Sequence, residues 1–332
     1  MVDYWNVMQV GIGMLIITAI GFTLGKLKIF KGSDVPIINK YVFKLNFIPL
    51  MARVIMVKKL SELNFMPLID SALTSLATYF IVIPVFLFPF KDKFAMFLSV
   101  ILPSAYINFV VSGLPVFVAI WGEGEVVVLS ILTLANDLLV VPLYLVLSEL
   151  YILRKNNEKR RDSGEPELKF TGKQALKILL HVMKSPILIG DIVGFVYAAT
   201  TLPMPTYLKS LTTIMGDVVL PLSLFSVGIF LSQHSFIACH WLKFIVMLLI
   251  RHVISPLFAA VFAWALKFDN RLSRQCCLMT CSPTAVACYL ITSTSGIGAG
   301  AASTMIFWTT VLSVPFIIGW IAVLDHLHIF VE

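Results

Sequence analysis

Long apolar runs separated by short polar segments make up most of the chain. A helix of about 20 apolar residues crosses the roughly 30 Å hydrocarbon core of a bilayer. Such runs predict membrane-spanning helices at about 5–25, 36–57, 65–90, 94–121 and 125–150, and then at about 186–202, 206–232, 241–266, 272–295 and 299–324. The pattern therefore predicts an all-α membrane protein with ten spans.

One long polar segment divides these runs into two sets of five. It covers residues 154–173, reads RKNNEKRRDSGEPELKFTGK and mixes charges of both signs. Polar, Gly- and Pro-containing stretches between periodic segments are typical of loops. We therefore predict a first five-helix unit over 1–153, a solvated linker over 154–173 and a second five-helix unit over 174–332.

The composition agrees with a membrane protein. Hydrophobic residues make up 59% of the chain and charged residues only 13%, where a soluble domain has about 25% charged residues. The N-terminal sequence MVDYW lacks the basic start and small-residue cleavage site of a secretory signal peptide, so we expect none. The first apolar run is therefore predicted to be a span.

The distribution of Lys and Arg predicts the orientation. If the linker is cytosolic, the inner ends of the spans carry about twice as many Lys and Arg residues as the outer ends, as the positive-inside rule requires. Both termini then face away from the cytosol. The net charge of +7 fits contact with anionic lipids, and we expect no nucleic-acid partner.

The two sets of spans share the positions of their Pro and Gly residues. Five pairs are separated by one offset of 172–174 residues: Gly21 and Gly194, Pro49 and Pro221, Pro84 and Pro256, Gly122 and Gly296, and Pro142 and Pro315. Because each set holds an odd number of spans, the second copy enters the membrane from the opposite side. The chain is therefore predicted to be an inverted repeat, an architecture typical of secondary transporters.

Two corresponding spans contain residues that interrupt helices. The fourth includes INFVVSGLPVFVAIWG, with Asn108, Gly113 and Pro115, and the ninth includes CLMTCSPTAVACYLITSTSG, with Pro283. Proline removes a helical hydrogen bond and crowds the preceding turn. We expect spans 4 and 9 to break and cross near the midplane, where helix N-termini favour a carboxylate. A proline kink that only shapes packing is the alternative.

Several motifs resemble the auxin efflux carrier superfamily, which includes the plant PIN proteins. INKYVFKLNFIPLM (38–51) is similar to the second span of that family, and the N-x-x-x-x-G-x-P pattern from Asn108 to the fourth. GDVVLPLSLFSVGIFLSQ (216–233) and SPTAVACYLITSTSG (282–296) are similar to the seventh and ninth. The order and spacing of the motifs cover nearly the whole chain.

The resemblance implies a fold, a mechanism and one residue role. It implies two inverted five-helix repeats in a bile acid/sodium–proton antiporter-like fold, with spans 1, 2, 6 and 7 as scaffold and the others as a moving transport domain. It also implies elevator-type export of a small organic anion such as indole-3-acetate or a dicarboxylate, contact of Asn108 with the substrate carboxylate, and homodimers.

This chain departs from the family pattern at two places. Thr294 stands where many relatives carry an acidic residue, and Asp70 is followed one turn later by Thr74 instead of Lys. These two differences count against auxin itself as the substrate and against coupling through the charges that the family carries at these positions.

Polar and ionisable residues within the spans are the remaining candidates, because a buried charge in a bilayer is costly. Asn136 and Thr284 are expected to bind substrate beside Asn108, Gly113, Pro115 and Pro283, although Asn136 could instead serve helix packing. Asp137 is a candidate for proton coupling or a structural acid. Asp217 and Arg251 are expected to pair with each other, or Arg251 to meet the anion, and Asp70 is expected to be solvated or coupled.

No arrangement of residues in the sequence predicts an enzyme. The five cysteines form no metal-ligand spacing, and no nucleophile motif is present, so we expect no cofactor. We predict a carrier or facilitator of a small organic anion in the plasma membrane or endoplasmic reticulum, with membrane lipids as its other partners. The alternatives are a lipid- or sterol-binding sensor built on a carrier-like domain, and an intramembrane hydrolase.

Overall fold

The computed structural model describes residues 3–200 and 202–331. Four residues of the predicted parts lie outside the described residues. They are the first two residues of the first five-helix unit, the last residue of the second, and Thr201 near the end of the predicted sixth span.

From residue 3 onward, the first half of the chain folds into eight α-helices, joined in places by π-helical or 3-10 turns. They are α1 (Tyr4–Lys26), α2 (Asp34–Tyr41), α3 (Phe47–Met56), α4 (Met66–Val82), α5 (Lys93–Ala105), α6 (Leu114–Trp121), α7 (Val127–Ala135) and α8 (Val141–Asp162). Single π-helical turns lie between α2 and α3, before α6 and between α7 and α8.

The described part of the second half adds nine α-helices. They are α9 (Gly172–Met183), α10 (Pro186–Thr200), α11 (Thr206–Asp217), α12 (Val219–Ser232), α13 (Trp241–Leu249), α14 (Ser255–Ala265), α15 (Asn270–Thr280), α16 (Ala287–Ser295) and α17 (Ala299–His326). A π-helical turn joins α13 to α14. No β-strand occurs among the described residues, so the all-α prediction is confirmed there.

Among the described residues, six helical segments are long and apolar enough to cross a membrane, and a seventh is added if α9 and α10, bent by 64°, count as one span. The predicted fourth and ninth spans are not among them, because each is divided into two short helices: α5 and α6, and α15 and α16. The prediction that these spans break is therefore matched by the structure, while the ten-span repeat stays a prediction.

The predicted linker is partly helical. Helix α8 continues to Asp162, nine residues into the segment predicted as a solvated loop. Ion pairs within the helix support this extension, because Glu158 lies 3.1 Å from both Arg154 and Lys155. Within the predicted linker, only the residues between Asp162 and the start of α9 at Gly172 lack helical structure.

Helices α1 and α12 pack so closely that only glycine fits at their contact. A Cβ atom at Gly21 would lie 2.2 Å from the Phe225 carbonyl oxygen, and one at Gly228 would lie 2.1 Å from that of Thr18. Small residues permit such close approach of helices in membranes.

Helices α3 and α10 make a similar contact. A Cβ at Gly190 would lie 2.7 Å from the Ile48 carbonyl oxygen, and one at Gly194 would lie 2.8 Å from Ile55. Each half of the chain thus contributes one helix with closely spaced glycines, and each of these helices packs on the other half.

The two broken spans lie at the centre of the molecule. Every residue of α5 from Phe97 to Ala105 is buried, as is every residue of α15 from Leu272 to Thr280. Helices such as α1, α10 and α13 instead expose large apolar side chains on their outer faces. The interrupted segments are therefore enclosed by the helices that would face lipid.

Candidate functional site

The interruptions of the two broken spans lie against each other. After α5 ends at Ala105, the backbone N–H of Asn108 donates to the carbonyl of Pro283 (2.8 Å). The N–H of Ala285 donates in return to the carbonyl of Tyr106 (3.0 Å). The two irregular segments thus form a short antiparallel bridge, centred on Ile107 and Thr284.

Proline and glycine explain why the helices stop here. Pro103 lies inside the last turn of α5, and Pro115 lies in the first turn of α6. A proline in these positions cannot supply the N–H that a continuous helix requires. Gly113 allows close approach, because a Cβ there would lie 3.1 Å from the Ser282 hydroxyl.

Side chains satisfy backbone groups that the breaks release. The Thr284 hydroxyl donates to the carbonyl of Pro103 (2.7 Å), while its N–H donates to the Thr309 hydroxyl (3.0 Å). The Asn136 amide nitrogen donates to the carbonyl of Ile107 (2.7 Å). Irregular backbone is tolerated at membrane depth only where such partners are present, so these residues hold the crossing together.

Arg251 is the largest fully buried side chain of the described residues, and it binds helix C-termini. Its guanidinium donates to the carbonyls of Thr280 (3.0 Å), Ser282 (Nε, 3.1 Å) and Ser104 (3.4 Å). These carbonyls end α15 and α5, where the helix dipole is negative. Arg251 does not line the cavity described below.

The expected pairing of Asp217 with Arg251 is wrong. Asp217 ends α11, its side chain is 60% exposed, and it lies 3.1 Å from Arg53 on α3. Arg251 is satisfied by carbonyl oxygens and therefore needs no carboxylate.

The expectation that Asp70 is solvated is also wrong. Its side chain on α4 is fully buried, beside the Cys276 thiol of α15, and neither carboxylate oxygen has a hydrogen-bond partner of normal geometry in the described structure. Asp70 does not line the cavity.

A small cavity lies next to the crossing. The volume that the centre of a water-sized sphere can occupy is about 50 Å³. This space is enough for a few water molecules. Its lining includes Phe109, Val110 and Val111 of the π-helical turn that leads into α6, and Ala285, Val286 and Ala287, where the chain enters α16. The N-terminal ends of both half-helices therefore line one cavity.

Three predicted site residues line this cavity: Asn108, Asn136 and Asp137. Asn108 is partly exposed and caps the π-helical turn, since its amide oxygen accepts from the Val111 N–H (3.2 Å) and its amide nitrogen donates to Ser112 (3.2 Å). Gly113, Pro115, Pro283 and Thr284 build the breaks and lie outside the lining. The structure thus separates cavity residues from residues that shape the crossing.

Asp137 occupies a π-helical turn between α7 and α8. Its carboxylate accepts a long hydrogen bond from Ser185 (3.4 Å), and it is 6% exposed. It lies within electrostatic reach of Asp191 on α10, whose side chain is fully buried and whose two oxygens have no partner among the described residues. No lysine or arginine lines the cavity.

Sequence reasoning missed Asp191 and Asn39. Asp191 is an isolated acid in the apolar stretch PILIGDIVGF, so the rule that drew attention to Asp137 also applied to it. Asn39 lines the cavity, and its amide oxygen accepts from the Ser226 hydroxyl (2.7 Å). No local pattern marks Asn39, because the fold alone brings α2 beside the crossing.

Comparisons with known proteins point to one family. A family model described as membrane transport protein matches residues 7–321. The chain is 21% identical to auxin efflux carrier component 8 of Arabidopsis thaliana over 366 residues, covering 97% of this chain and 98% of that protein.

It is also similar to probable auxin efflux carrier component 5b of Oryza sativa subsp. japonica. The two are 26% identical over 156 residues, which is 46% of this chain and 42% of the rice protein. This second alignment spans less than half of the rice protein, whereas the first spans nearly all of its relative.

Proposed function

Since the chain belongs to the auxin efflux carrier family of membrane transport proteins, we propose that it exports a small organic anion as a secondary carrier or facilitator. The observation that carries the proposal is the cavity at the helix crossing, lined by the N-termini of both half-helices. A helix N-terminus carries a partial positive charge and N–H groups with no partner in the helix, which favour a carboxylate.

Within this site, Asn108 is the amide that meets the substrate. It is partly exposed to the cavity, and its amide nitrogen has only the neighbouring Ser112 hydroxyl as acceptor. The amide nitrogen of Asn136 is already used by the carbonyl of Ile107 at 2.7 Å, so Asn136 supports the crossing. A carboxylate is a stronger acceptor than a hydroxyl and can replace Ser112.

Substrate binding requires the cavity to widen. A space for a few water molecules excludes an aromatic or dicarboxylic acid. In our proposal, an elevator-type movement opens the site to one side at a time, with spans 3, 4, 5, 8, 9 and 10 moving against spans 1, 2, 6 and 7.

Reciprocal contacts support the inverted repeat of ten spans. The first span, α1, packs through Gly21 on α12 of the second half. The sixth span, α10, packs through Gly194 on α3 of the first half. Gly21 and Gly194 are also related by the repeat offset, as two copies related by a twofold axis require.

In this proposal, Asp137 couples binding of the substrate to binding of a proton. It lines the same cavity as the anion site, with no cation beside it among the lining residues. An anionic substrate would meet a second negative charge there unless the Asp137 carboxyl carried a proton. Binding of the substrate and of a proton would therefore favour each other.

The orientation and the membrane also belong to this proposal. The excess of Lys and Arg at the inner ends supports a cytosolic linker and extracytosolic termini, in the plasma membrane or the endoplasmic reticulum. The homodimer that the family resemblance implied stays a prediction. We assign the protein no catalytic activity.

Transport currents on a solid-supported membrane test the proposal. Purified wild-type protein is challenged with aromatic and aliphatic carboxylates beside Asn108→Ala and a matched variant, Asn64→Ala, whose exposed side chain accepts from the nearby Met66 N–H. We expect a current that Asn108→Ala reduces at least tenfold and Asn64→Ala leaves unchanged. Silence across the panel, together with thermal stabilisation by a sterol, would favour the sensor instead.

The same currents measured from pH 5 to 8 test coupling. The wild-type current should vary with pH, and Asp137→Asn should remove that variation. An unchanged pH profile in Asp137→Asn would refute the role of Asp137 and leave anion transport itself intact.

A further inference from the structure

Helix α9 (Gly172–Met183) is set at an angle to the helix that follows it. A capping box begins α9, since the Thr171 N–H donates to the Gln174 side chain (2.8 Å). The helix ends before Pro186, and the axis turns by 64° into α10. If α10 crosses the bilayer, this bend directs α9 toward the membrane plane.

One face of α9 packs on the protein. Val182 is buried in a small cluster with Leu134 and Leu188, and Gln174 donates to Glu149 of α8 (3.1 Å). Ile178, between them on the same face, is half-buried. These contacts fix the rotation of the helix about its own axis.

An apolar stripe lies on the opposite face. At 3.6 residues per turn, Leu176, Leu179, Leu180 and Met183 fall within an arc of about 100°. Their side chains are 45–57% exposed. About half of the surface of these four large apolar side chains is therefore left uncovered by the described residues.

A row of lysines borders that stripe. At the same helical spacing, Lys173, Lys177 and Lys184 fall within about 40° of one another, along one edge of the stripe. All three are exposed. An apolar face with a basic edge is the pattern of a helix that lies in a membrane interface.

We propose that α9 lies in the plane of the membrane, with its leucine stripe among the lipid acyl chains and its lysine row bound to anionic phospholipid headgroups. Lipid is the occupant because α10, the helix that follows directly, also exposes large apolar side chains, Ile192, Val193 and Val196. In the proposed orientation this surface meets the cytosolic leaflet, whose anionic lipids complement the lysines. The inference concerns lipid recognition and is independent of the transported substrate.

Depth-dependent fluorescence quenching tests the position of the stripe. In a Cys239→Ser background the remaining four cysteines are buried, so a single exposed cysteine can carry a fluorophore. The full-length protein in nanodiscs is labelled at Leu179→Cys or, roughly 160° around the helix, at His181→Cys. Phospholipids brominated on their acyl chains should quench the label at 179 strongly and the label at 181 weakly. Equal quenching at both positions would overturn the proposal.

The headgroup preference is tested on the Leu179→Cys label. We expect brominated phosphatidylserine to reach half-maximal quenching at about one fifth of the mole fraction that brominated phosphatidylcholine needs. The triple variant Lys173→Gln, Lys177→Gln, Lys184→Gln should lose this preference. A matched triple variant of inner-end lysines, Lys26→Gln, Lys28→Gln, Lys31→Gln, should keep it.

Two outcomes would overturn the headgroup assignment. One is equal quenching by the two lipids in the protein with native lysines. The other is loss of the preference when inorganic phosphate is added at constant ionic strength, which would indicate a site for free phosphate instead of a lipid. Neither outcome depends on whether the protein transports an anion.

Discussion

At the residue scale, Arg251 is the cation that stabilises the crossing. Its guanidinium donates to carbonyls of Ser104, Thr280 and Ser282 from a fully buried position. Hydrogen bonds from a charged donor contribute about 1.5–3 kcal/mol each, and orphaned buried carbonyls add a further penalty. We expect Arg251→Gln to destabilise the protein by about 3 kcal/mol or more.

The destabilisation caused by Arg251→Gln is compared with that caused by replacing a second arginine. Arg53 pairs with Asp217 near the surface, with side-chain exposures of 26% and 60%, so Arg53→Gln should cost about 1 kcal/mol or less. The melting temperatures of the two variants are compared in detergent, with size-exclusion chromatography as the readout of the protein that remains folded after heating. Equal melting temperatures would mean that Arg251 does not stabilise the crossing.

Single residues were predicted correctly where local chemistry determines their role. Gly113, Pro115 and Pro283 each lie within or beside an interruption, and the sequence located the breaks from them. Proline alone is not sufficient, because Pro315 lies inside the continuous helix α17. The burial of Asp70 and the partners of Arg251 depend on which helices pack together. The fold alone places the Cys276 thiol beside Asp70 and three carbonyls around Arg251. The predicted solvation of Asp70 and the predicted pairing of Asp217 with Arg251 were therefore wrong.

At the element scale, contact between α1 and α12 depends on the absence of a side chain at Gly21. A Cβ there would lie 2.2 Å from a backbone oxygen, which cannot rotate away as a side chain can. We expect Gly21→Ala to separate the helices and destabilise the protein by about 1–3 kcal/mol.

Gly13 is the matched control on the same helix. A Cβ at Gly13 would meet nothing within 4 Å, so Gly13→Ala should be neutral or stabilise the helix by up to about 1 kcal/mol. Melting temperatures in detergent distinguish the two. A Gly21→Ala protein as stable as Gly13→Ala would contradict close packing between α1 and α12.

A charged contact joins the turn before α7 to α15. Arg271 lies 2.9 Å from Glu125 and holds the pKa of that carboxyl below its ordinary value, with Gln275 as a further donor. Because the pKa is lower in the folded state, the contact stabilises the protein above about pH 4.5 and its contribution is lost as the pH falls through the folded value.

Replacing Glu125 should therefore matter at neutral pH and not in acid. We expect Glu125→Gln to lose about 1 kcal/mol or less at pH 7, because the pair is partly exposed. Its melting curve should converge with that of the wild type as the pH falls through the folded-state pKa of Glu125. Glu123→Gln, in the same turn, serves as control, and a gap that did not narrow as the pH fell would exclude this titration as the cause.

Element boundaries could be predicted only where hydrophobicity changes sharply. The apolar runs located the long helices, since about 20 apolar residues in sequence have few alternatives to a span. The helical continuation of α8 to Asp162 was missed because its residues are polar and form helix through local ion pairs. Helix α9 was missed because its 12 residues are too few to cross a bilayer, so they form no apolar run of span length.

At the scale of the whole molecule, the breaks and the reciprocal contacts describe one architecture. The glycine contacts join α1 to α12 and α3 to α10, which together form the proposed scaffold. The paired interruptions of α5 and α15 belong to the proposed transport domain. An elevator requires these two groups to move relative to each other, while contacts within each group persist.

A cross-link between the groups tests this directly. Asn6 on α1 donates to the carbonyl of Ala119 on α6 (3.0 Å), so Asn6→Cys with Ala119→Cys bridges scaffold and transport domain. Gly32→Cys with Gln233→Cys bridges two parts of the scaffold, since a Cβ at Gly32 would lie 3.4 Å from the Gln233 side chain. Both pairs are made in the Cys239→Ser background.

Movement of one domain against the other predicts opposite effects of the two cross-links. Mercury-bridging of the Asn6/Ala119 pair should abolish the carboxylate current, because the moving domain is then tied to the scaffold in one position. The Gly32/Gln233 bridge should leave the current within about twofold of the unbridged protein, as contacts inside a rigid body do not limit exchange between states. Removal of the mercury by excess dithiothreitol, which binds the ion in place of the two cysteines, should restore transport in the first pair. Full current through the bridged Asn6/Ala119 protein would exclude an elevator with these boundaries and favour a gate within the crossing itself.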